Sequence, residues 1–563
     1  MGGMTDRASA PATTVAEAVA DVVAQHSPVV FGLMGNGNAH FMARLTGRGH
    51  RVVTVRHETA TVIAAHSFAL AGGAIAAATA TYGAGFTNLL TSLAEARLAR
   101  IPAVVVVGDA PGSGPRAIDI DQVGAAAALF VRTLVVGSGD AAAQTELAYE
   151  IARRDRVPVI VAIPYDLVDA PLTAATEVPP LPSSAVLRSH ELAESPLAEA
   201  AAVAALAERL IAAERPLVLG GYGAVLAGAG GALRQVGDRV GALFATSLMA
   251  HGLFESPWDI GIAGGFSTEG AAALIGEADV VLVVGASLNL WQMRYNELLA
   301  AGAHVIQIDT LATATNPRVD EFHRSDALAF AQAVLAALPA ERRVGWRATA
   351  QLPEHAGETF PERAADGLLD PRAVMVALDG ILPEARSITQ DNGHYMGWAP
   401  RHLRAPDPQA MLLPGLALHC IGLGMGSLLG VAEVRDDRLP VLVTGDGGLL
   451  MELSELDTVV RQLSSALIVV MNDAAFSMEV HQYGVRGLDE SAMRFALVDF
   501  AALSRAMGAQ GARIESLADL DAVRAWTEGG AEGVFVADVV ISPSVVADWL
   551  KISNRYNGVP VPD

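Results

Sequence analysis

The chain has a single cysteine, Cys420, and aromatic residues make up only 5% of it. One thiol excludes an internal disulfide framework and fits a reducing compartment. Basic residues are also scarce: 38 Lys and Arg stand against 61 Asp and Glu, a net charge of −23. Nucleic-acid binding requires a basic face, so that class of partner is set aside. The acidic balance speaks only for solubility and self-repulsion. The N-terminal stretch MGGMTDRASAPATT carries no apolar core, which argues against a secretory signal. Long uninterrupted apolar runs are missing as well. Stretches such as AAHSFALAGGAIAAATATYGAG are broken by Gly and polar residues and suit buried helix and strand better than a membrane span. A soluble, cytoplasmic protein that does not enter a membrane is expected.

What the chain does have is length and apolar content: 563 residues, 52% of them hydrophobic. That is too long for one core. Two aperiodic, Pro-containing stretches read as joints, DAPLTAATEVPPLPSSAVLRSHELAESP (169–196) and LPAERRVGWRATAQLPEHAGETFPERAADG (338–367). Domains are therefore expected at 1–180, 190–345 and 365–563. Within each, short Val/Ile/Leu runs alternate with helical patterns: SPVVFGLM, HRVVTV, AAATATY, IPAVVVVGD and VPVIVAI, then RPLVLGG, ADVVLVVGA and AHVIQID, then RLPVLVTGD, SALIVVMND and GVFVADVVI. Continuous apolar strands alternating with helices imply parallel sheets covered on both faces. The expected fold class is α/β, with three successive doubly wound domains.

The stretch VLVTGDGGLL places Asp446 where an apolar strand ends. Leu449, Leu453, Leu456, Val460 and Leu463 then follow at helical spacing, and SALIVVMN is the next strand. This is a βαβ unit, and ligands collect at the carboxyl ends of such strands. Asp446 and Asn472 would end two neighbouring strands, one offering a carboxylate oxygen and the other an amide oxygen. Gly445 and Gly447 would let the backbone bend and approach a ligand. A hard divalent cation bridging to a diphosphate satisfies this arrangement. A strand-end Asp capping the next helix satisfies Asp446 alone.

The run GDGGLLMELSELDTVVRQLSSALIVVMND resembles the diphosphate-binding motif of thiamine-diphosphate enzymes, Gly-Asp-Gly followed roughly 25–30 residues later by Asn. The resemblance implies thiamine diphosphate and Mg2+, with metal ligands at Asp446, Asn472 and the backbone carbonyl of Ala474, and cofactor contacts at Gly445, Gly447, Gly448 and Phe476. It extends to RHETATVIAAHSFALAGG, similar to the segment that carries the family's essential glutamate, which falls on Glu58. TYGAGFTNLL is similar to the family's Gly-Pro-Gly-x-Thr-Asn stretch, with Ala84 in place of proline. LALHCIGLGMGSLLG puts Ile421 where the family has an apolar prop for the bent cofactor, and the middle segment resembles the family's central domain. The three domains would then be pyrimidine-binding, central and diphosphate-binding. Glu58 and Asp446 of different subunits would serve one site, so a homodimer or homotetramer is implied.

Family membership does not fix the reaction. Phe476, Met478, Glu479 and His481 are candidates for the wall around the reacting carbon. Asn88, Asp119, Asp121 and Gln122 in the first segment, and Asn392 and His394 opening the third, are further candidate contacts. The paired histidines of pyruvate decarboxylase relatives are missing from the IDIDQ region. Ser287 stands where acetolactate synthases have a flavin-contacting Arg, and GGYGAVLAGAG is no true G-x-G-x-x-G, which reads against FAD. The expected activity is an acetolactate synthase-like carboligase or lyase, joining a 2-oxo acid donor to a carbonyl acceptor. The alternatives are non-oxidative 2-oxo acid decarboxylation and a catalytically silent regulatory subunit.

Overall fold

The computed structural model describes residues 13–174, 200–352 and 358–561. Most of the first expected joint (175–196) and part of the second (353–357) lie outside the described residues. Three six-stranded sheets follow one another along the chain, with every pairing between their strands parallel. The first comprises β1 Val29–Gly32, β2 Arg51–Thr54, β3 Ala77–Ala80, β4 Ala103–Asp109, β5 Arg132–Val135 and β6 Pro158–Pro164, in the order 2-1-3-4-6-5. The second comprises β7 Pro216–Gly220, β8 Leu243–Thr246, β9 Asp259–Ile262, β10 Val280–Val284, β11 His304–Asp309 and β12 Glu321–Arg324, in the order 12-11-10-7-8-9. The third comprises β13 Arg386–Gln390, β14 Met411–Leu412, β15 Leu439–Gly445, β16 Ser465–Asn472, β17 Gln510–Ile514 and β18 Gly533–Val540, in the order 14-13-15-16-18-17. The first and third sheets thus share one strand order, and the central sheet has the order typical of dinucleotide-binding folds.

Every strand expected from the sequence is present. Those not expected are short, two to five residues each. The edge strand β5 (RTLV) is half-exposed, and β12 (EFHR) is polar. β13 (RSITQ) is buried throughout, with the Arg386 guanidinium paired to Asp379 and donating to the Arg404 carbonyl at 3.0 Å.

The chain forms two compact units. Of the described residues, one takes in those up to 174 together with 414–434 and 452–462, and the other those in 200–413, 435–451 and 463–561. In the first, the helix Gly424–Ala432 lies against the helix Glu58–Leu70. Glycine permits that approach. A Cβ on Gly430 would stand 2.1 Å from the Ala64 carbonyl oxygen, and one on Gly426 would stand 2.5 Å from the Ile63 side chain. The Gly-rich run LGMGSLLG is therefore a packing surface over most of its length.

One expectation fails here. The apolar stripe from Leu449 to Leu463 does not form one helix. Two short helices, Asp446–Met451 and Glu455–Gln462, are separated by a turn at 452–454. The second helix buries Glu455, Leu456, Thr458 and Val459. Two carboxylates displace the leucine stripe because each finds backbone donors inside the first unit. Glu452 accepts from the Met425 N–H at 2.8 Å, and Glu455 accepts from those of Arg56 and His57.

Candidate active site

In the first unit Glu58 opens its helix directly after the β2 turn, with His57 as the N-cap. Its carboxylate is half-buried and accepts a hydrogen bond from Asn88 Nδ2 at 2.9 Å. The Thr59 hydroxyl donates to the Asn88 carbonyl at 2.6 Å, so Asn88 is tied to this helix twice. A Cβ on Gly85 would meet Glu58 Oε1 at 3.1 Å, which explains a small residue in TYGAGFTN. Asn88, expected beside the substrate, is thus a partner of Glu58. Gln122 is taken up by backbone: its Oε1 accepts from the Gly83 N–H at 2.7 Å, and its Nε2 donates to the Gly108 carbonyl at 2.9 Å. Asp119 binds the Arg116 guanidinium through both oxygens, and Asp121 caps the helix Gln122–Ala128. Ile421 is half-buried, in the loop just before the helix Gly424–Ala432. That loop is held by Glu95, a buried carboxylate accepting from the N–H groups of Gly415, Ala417 and Leu418. Glu95 was not singled out in the sequence, where it reads as one more helical Glu in SLAEARLA.

In the second unit β15 and β16 are parallel neighbours, with Gly445 opposite Met471. Asp446 and Asn472 therefore leave adjacent strand ends, as expected, and both are buried. Asp446 Oδ1 accepts from the Gly447 N–H and Oδ2 from the Ala474 N–H, both at 2.7 Å. Burial raises the Asp446 carboxyl above the usual carboxylate range, and burial plus the Asp446 charge raises its neighbour Asp473 too. Asn472 Nδ2 donates to Asp538 Oδ1 at 2.7 Å and to the Val498 carbonyl at 2.9 Å. Its Oδ1 is left buried without a partner. Asp538, inside the apolar strand β18, sets which end of the amide is free. An isolated Asp within GVFVADVV was the signal that could have marked it. Ala474 has the left-handed backbone φ of +57°, and its carbonyl accepts from the Phe495 N–H at 3.0 Å, leaving one lone pair.

Gly445 and Gly447 are needed for space and not for a bend, since neither has a left-handed φ. Added Cβ atoms would stand 2.6 Å from the Tyr395 ring and 2.5 Å from the Phe476 ring. Phe476 backs onto Gly447, and its ring meets Phe495 edge-on. Gly448 is buried in the same short helix. Met478 is half-buried, Glu479 is exposed and His481 is buried.

His394 and His481 come together, their ring centroids 4.7 Å apart. His394 Nε2 accepts from the Ala547 N–H at 2.9 Å, and His481 Nε2 is buried without a partner. Burial pushes the His481 ring down to about 4 and the His394 ring well below the usual range. A ring depressed in the folded state stabilises the protein above its unfolded value near 6.5, and that contribution is lost as pH falls through about 4. A shift of this size corresponds to roughly 3 kcal/mol. The melting temperature should therefore fall between about pH 6.5 and pH 4, and fall less in His481→Gln. Equal losses in both proteins would remove His481 from this account.

Asp446, the free Asn472 Oδ1 and the Ala474 carbonyl make a hard oxygen donor set, which fits a divalent cation such as Mg2+. Among the described residues no group of three or more His, Cys, Asp or Glu offers a competing metal site. None of their helices is long and apolar enough to cross a membrane.

Three models of one family match in order: the N-terminal TPP binding domain of thiamine pyrophosphate enzymes at 13–122, the central domain at 203–338 and the C-terminal TPP binding domain at 391–539. The chain belongs to the thiamine pyrophosphate enzyme family. The acetolactate synthase large subunit of Parasynechococcus marenigrum is 29% identical over 90% of this chain and 84% of its own length. A probable acetolactate synthase large subunit of Methanocaldococcus jannaschii is 26% identical over 95% of this chain and 93% of its own. The probable 2-ketoarginine decarboxylase AruI of Pseudomonas aeruginosa is 27% identical over 90% of each. The chain is an enzyme that forms or cleaves carbon–carbon bonds with thiamine diphosphate.

Proposed function

We propose that the chain is an acetolactate synthase-like carboligase or lyase that uses thiamine diphosphate and Mg2+ on a 2-oxo acid donor and a carbonyl acceptor. The observation that carries the cofactor reading is the buried, unpartnered Asn472 Oδ1 one strand over from Asp446. Asp446, Asn472 and the Ala474 carbonyl hold the cation that anchors the diphosphate. Ile421 props the cofactor, and Glu58 offers its carboxylate to the aminopyrimidine ring. When bound, thiamine diphosphate supplies a carbon nucleophile and an electron sink next to the substrate carbonyl. The chain's own contribution is positional. Asn88 fixes the direction of the Glu58 carboxylate, and Asp538 keeps the Asn472 oxygen turned outward from its own hydrogen bonds. The working unit is at least a homodimer in the cytoplasm, with Glu58 of one copy and Asp446 of the other serving one cofactor.

Decarboxylation without ligation is the second reading, favoured by the similarity to the probable 2-ketoarginine decarboxylase. The presence of Glu58, Asp446 and Asn472 together speaks against a silent subunit. Against FAD stands the turn after β10 in the central sheet. Gly221 and Gly285 pack backbone to backbone, where a Cβ on Gly221 would be 2.2 Å from the Gly285 carbonyl. Ser287, where an Arg would reach a flavin, spends its hydroxyl on Gln292. Purified protein should then show no band near about 450 nm, where a flavin absorbs.

The deciding experiment supplies thiamine diphosphate, Mg2+ and a series of 2-oxo acids, with and without an aldehyde, and identifies products. Carbon dioxide with a 2-hydroxy ketone is the expected result. Carbon dioxide with aldehyde alone would establish the second reading, and no carbon dioxide from any donor would overturn both.

A further inference from the structure

Glu455 touches none of the residues assigned above to metal or substrate, yet it is 1% exposed and carries a carboxylate. Burying such a group is costly unless its oxygens are fully engaged. They are engaged in one place. Oε1 accepts from the Arg56 N–H at 2.9 Å and from the His57 N–H at 2.6 Å, and Oε2 accepts from the Thr458 hydroxyl at 2.7 Å. Arg56 and His57 are the two residues before Glu58. One acceptor shared by consecutive N–H groups fixes the peptide planes that lead into Glu58.

The helix Glu455–Gln462 reinforces this with two further ties. Asp457 Oδ2 accepts from Arg56 Nε at 2.6 Å, and Arg461 donates to the Thr54 carbonyl at 3.1 Å. The turn from β2 into the Glu58 helix is thus bracketed by a single helix. On its other side the Glu58 carboxylate is held by Asn88. Glu455 is the only member of the bracket that is fully buried and that binds the peptide groups themselves.

We infer that Glu455 is a positioning residue, whose carboxylate holds the Arg56–His57 backbone so that Glu58 is presented in one orientation. This rests on the reading of Glu58 as the carboxylate that serves the cofactor. A displacement of about 1 Å in a reacting group can cost roughly a hundredfold in rate, so the carboxylate is worth retaining despite its burial. Gln at 455 keeps an oxygen for the two N–H groups and can donate to Thr458, so it should substitute. Ala cannot.

The test uses the full-length protein. In Glu455→Ala, kcat should fall roughly a hundredfold, while the KM for the 2-oxo acid and the cofactor titration midpoint move by less than about threefold. Glu455→Gln should recover kcat to within about threefold of wild type. Without cofactor, amide hydrogen exchange in the peptide covering 54–60 should quicken in Glu455→Ala and not in Glu455→Gln. In a Glu58→Gln background, Glu455→Ala should add no further loss, because its effect passes through Glu58. If Glu455→Ala does not fold, Glu455→Asp withdraws the same oxygens by one methylene and is read in the same way. Unchanged kcat, a loss that adds to that of Glu58→Gln, or exchange at 54–60 equal to wild type would each overturn the inference. Full turnover in Glu58→Gln would show instead that the reading beneath it had failed, whatever the exchange data.

Discussion

Glu58→Gln should leave the protein folded and the cofactor bound while turnover falls by roughly 10²–10⁴-fold, the span usual for one general acid–base group. Gln has the same size and can still accept from Asn88, so the 2.9 Å contact survives. What is lost is the carboxylate that a ring nitrogen would engage. Steady-state kinetics beside a cofactor titration measures the two quantities separately, and unchanged turnover would sink the assignment. The same variant tests the shared site. Chains carrying Glu58→Gln and chains carrying Asp446→Asn should each be inactive alone. Mixed dimers would regain one intact site, giving roughly a quarter of wild-type activity if copies pair at random. No recovery on mixing would mean that both residues act within one copy.

Asp446→Asn should abolish Mg2+-dependent cofactor binding, weakening it by at least about a hundredfold, since even the partners of metal ligands are commonly worth 10–100-fold. Yet the cofactor-free variant should be no less stable than wild type at pH 8. The reason lies in the sign of the linkage. Burial raises the Asp446 carboxyl, and burial together with the Asp446 charge raises that of Asp473. A carboxyl raised above its unfolded value stabilises the fold at low pH, and that contribution is lost as pH rises through the folded value. At pH 8 without a cation, wild type therefore holds two buried, adjacent negative charges, and removing one relieves the fold. Adding Mg2+ with cofactor should reverse the ranking. Thermal melts at pH 5 and pH 8, with and without Mg2+ and cofactor, would show it. A variant that still bound cofactor with wild-type Mg2+ dependence would refute the ligand assignment.

Much of this molecule could be read from residues alone, and what could not has physical causes. Strands buried on both faces announce themselves as Val/Ile/Leu runs, so β4, β10, β15 and β16 were legible. Short, half-exposed or polar strands such as β5 and β12 were not. The pairing of Asp446 with Asn472 was legible because one βαβ unit fixes it. The partners that orient these residues were hidden. Asn88 meets Glu58 only because the short helix Ala84–Thr87 brings it back, and Asp538 meets Asn472 from a strand many residues later. The broken helix after Asp446 shows the same limit. A leucine stripe read by periodicity lost to two carboxylates whose backbone partners lie hundreds of residues upstream and in the Gly-rich helix itself. His481 was hidden for a related reason: its burial depends on His394 and the Ala547 segment, both far from it along the chain.

The Gly424–Ala432 and Glu455–Gln462 helices belong to the first compact unit although they lie far along the chain. Chimeras feel this first. Exchanging everything after the second joint for a relative's sequence would also exchange Glu455 and the two glycines that seat against Ile63 and Ala64. Swapped proteins would then succeed or fail on how well a borrowed helix fits the Glu58 helix, before their altered substrate walls were ever tested. A crossover scheme that keeps 414–434 and 452–462 with the N-terminal parent, and trades only the strands between and after them, respects the seam that the fold itself draws.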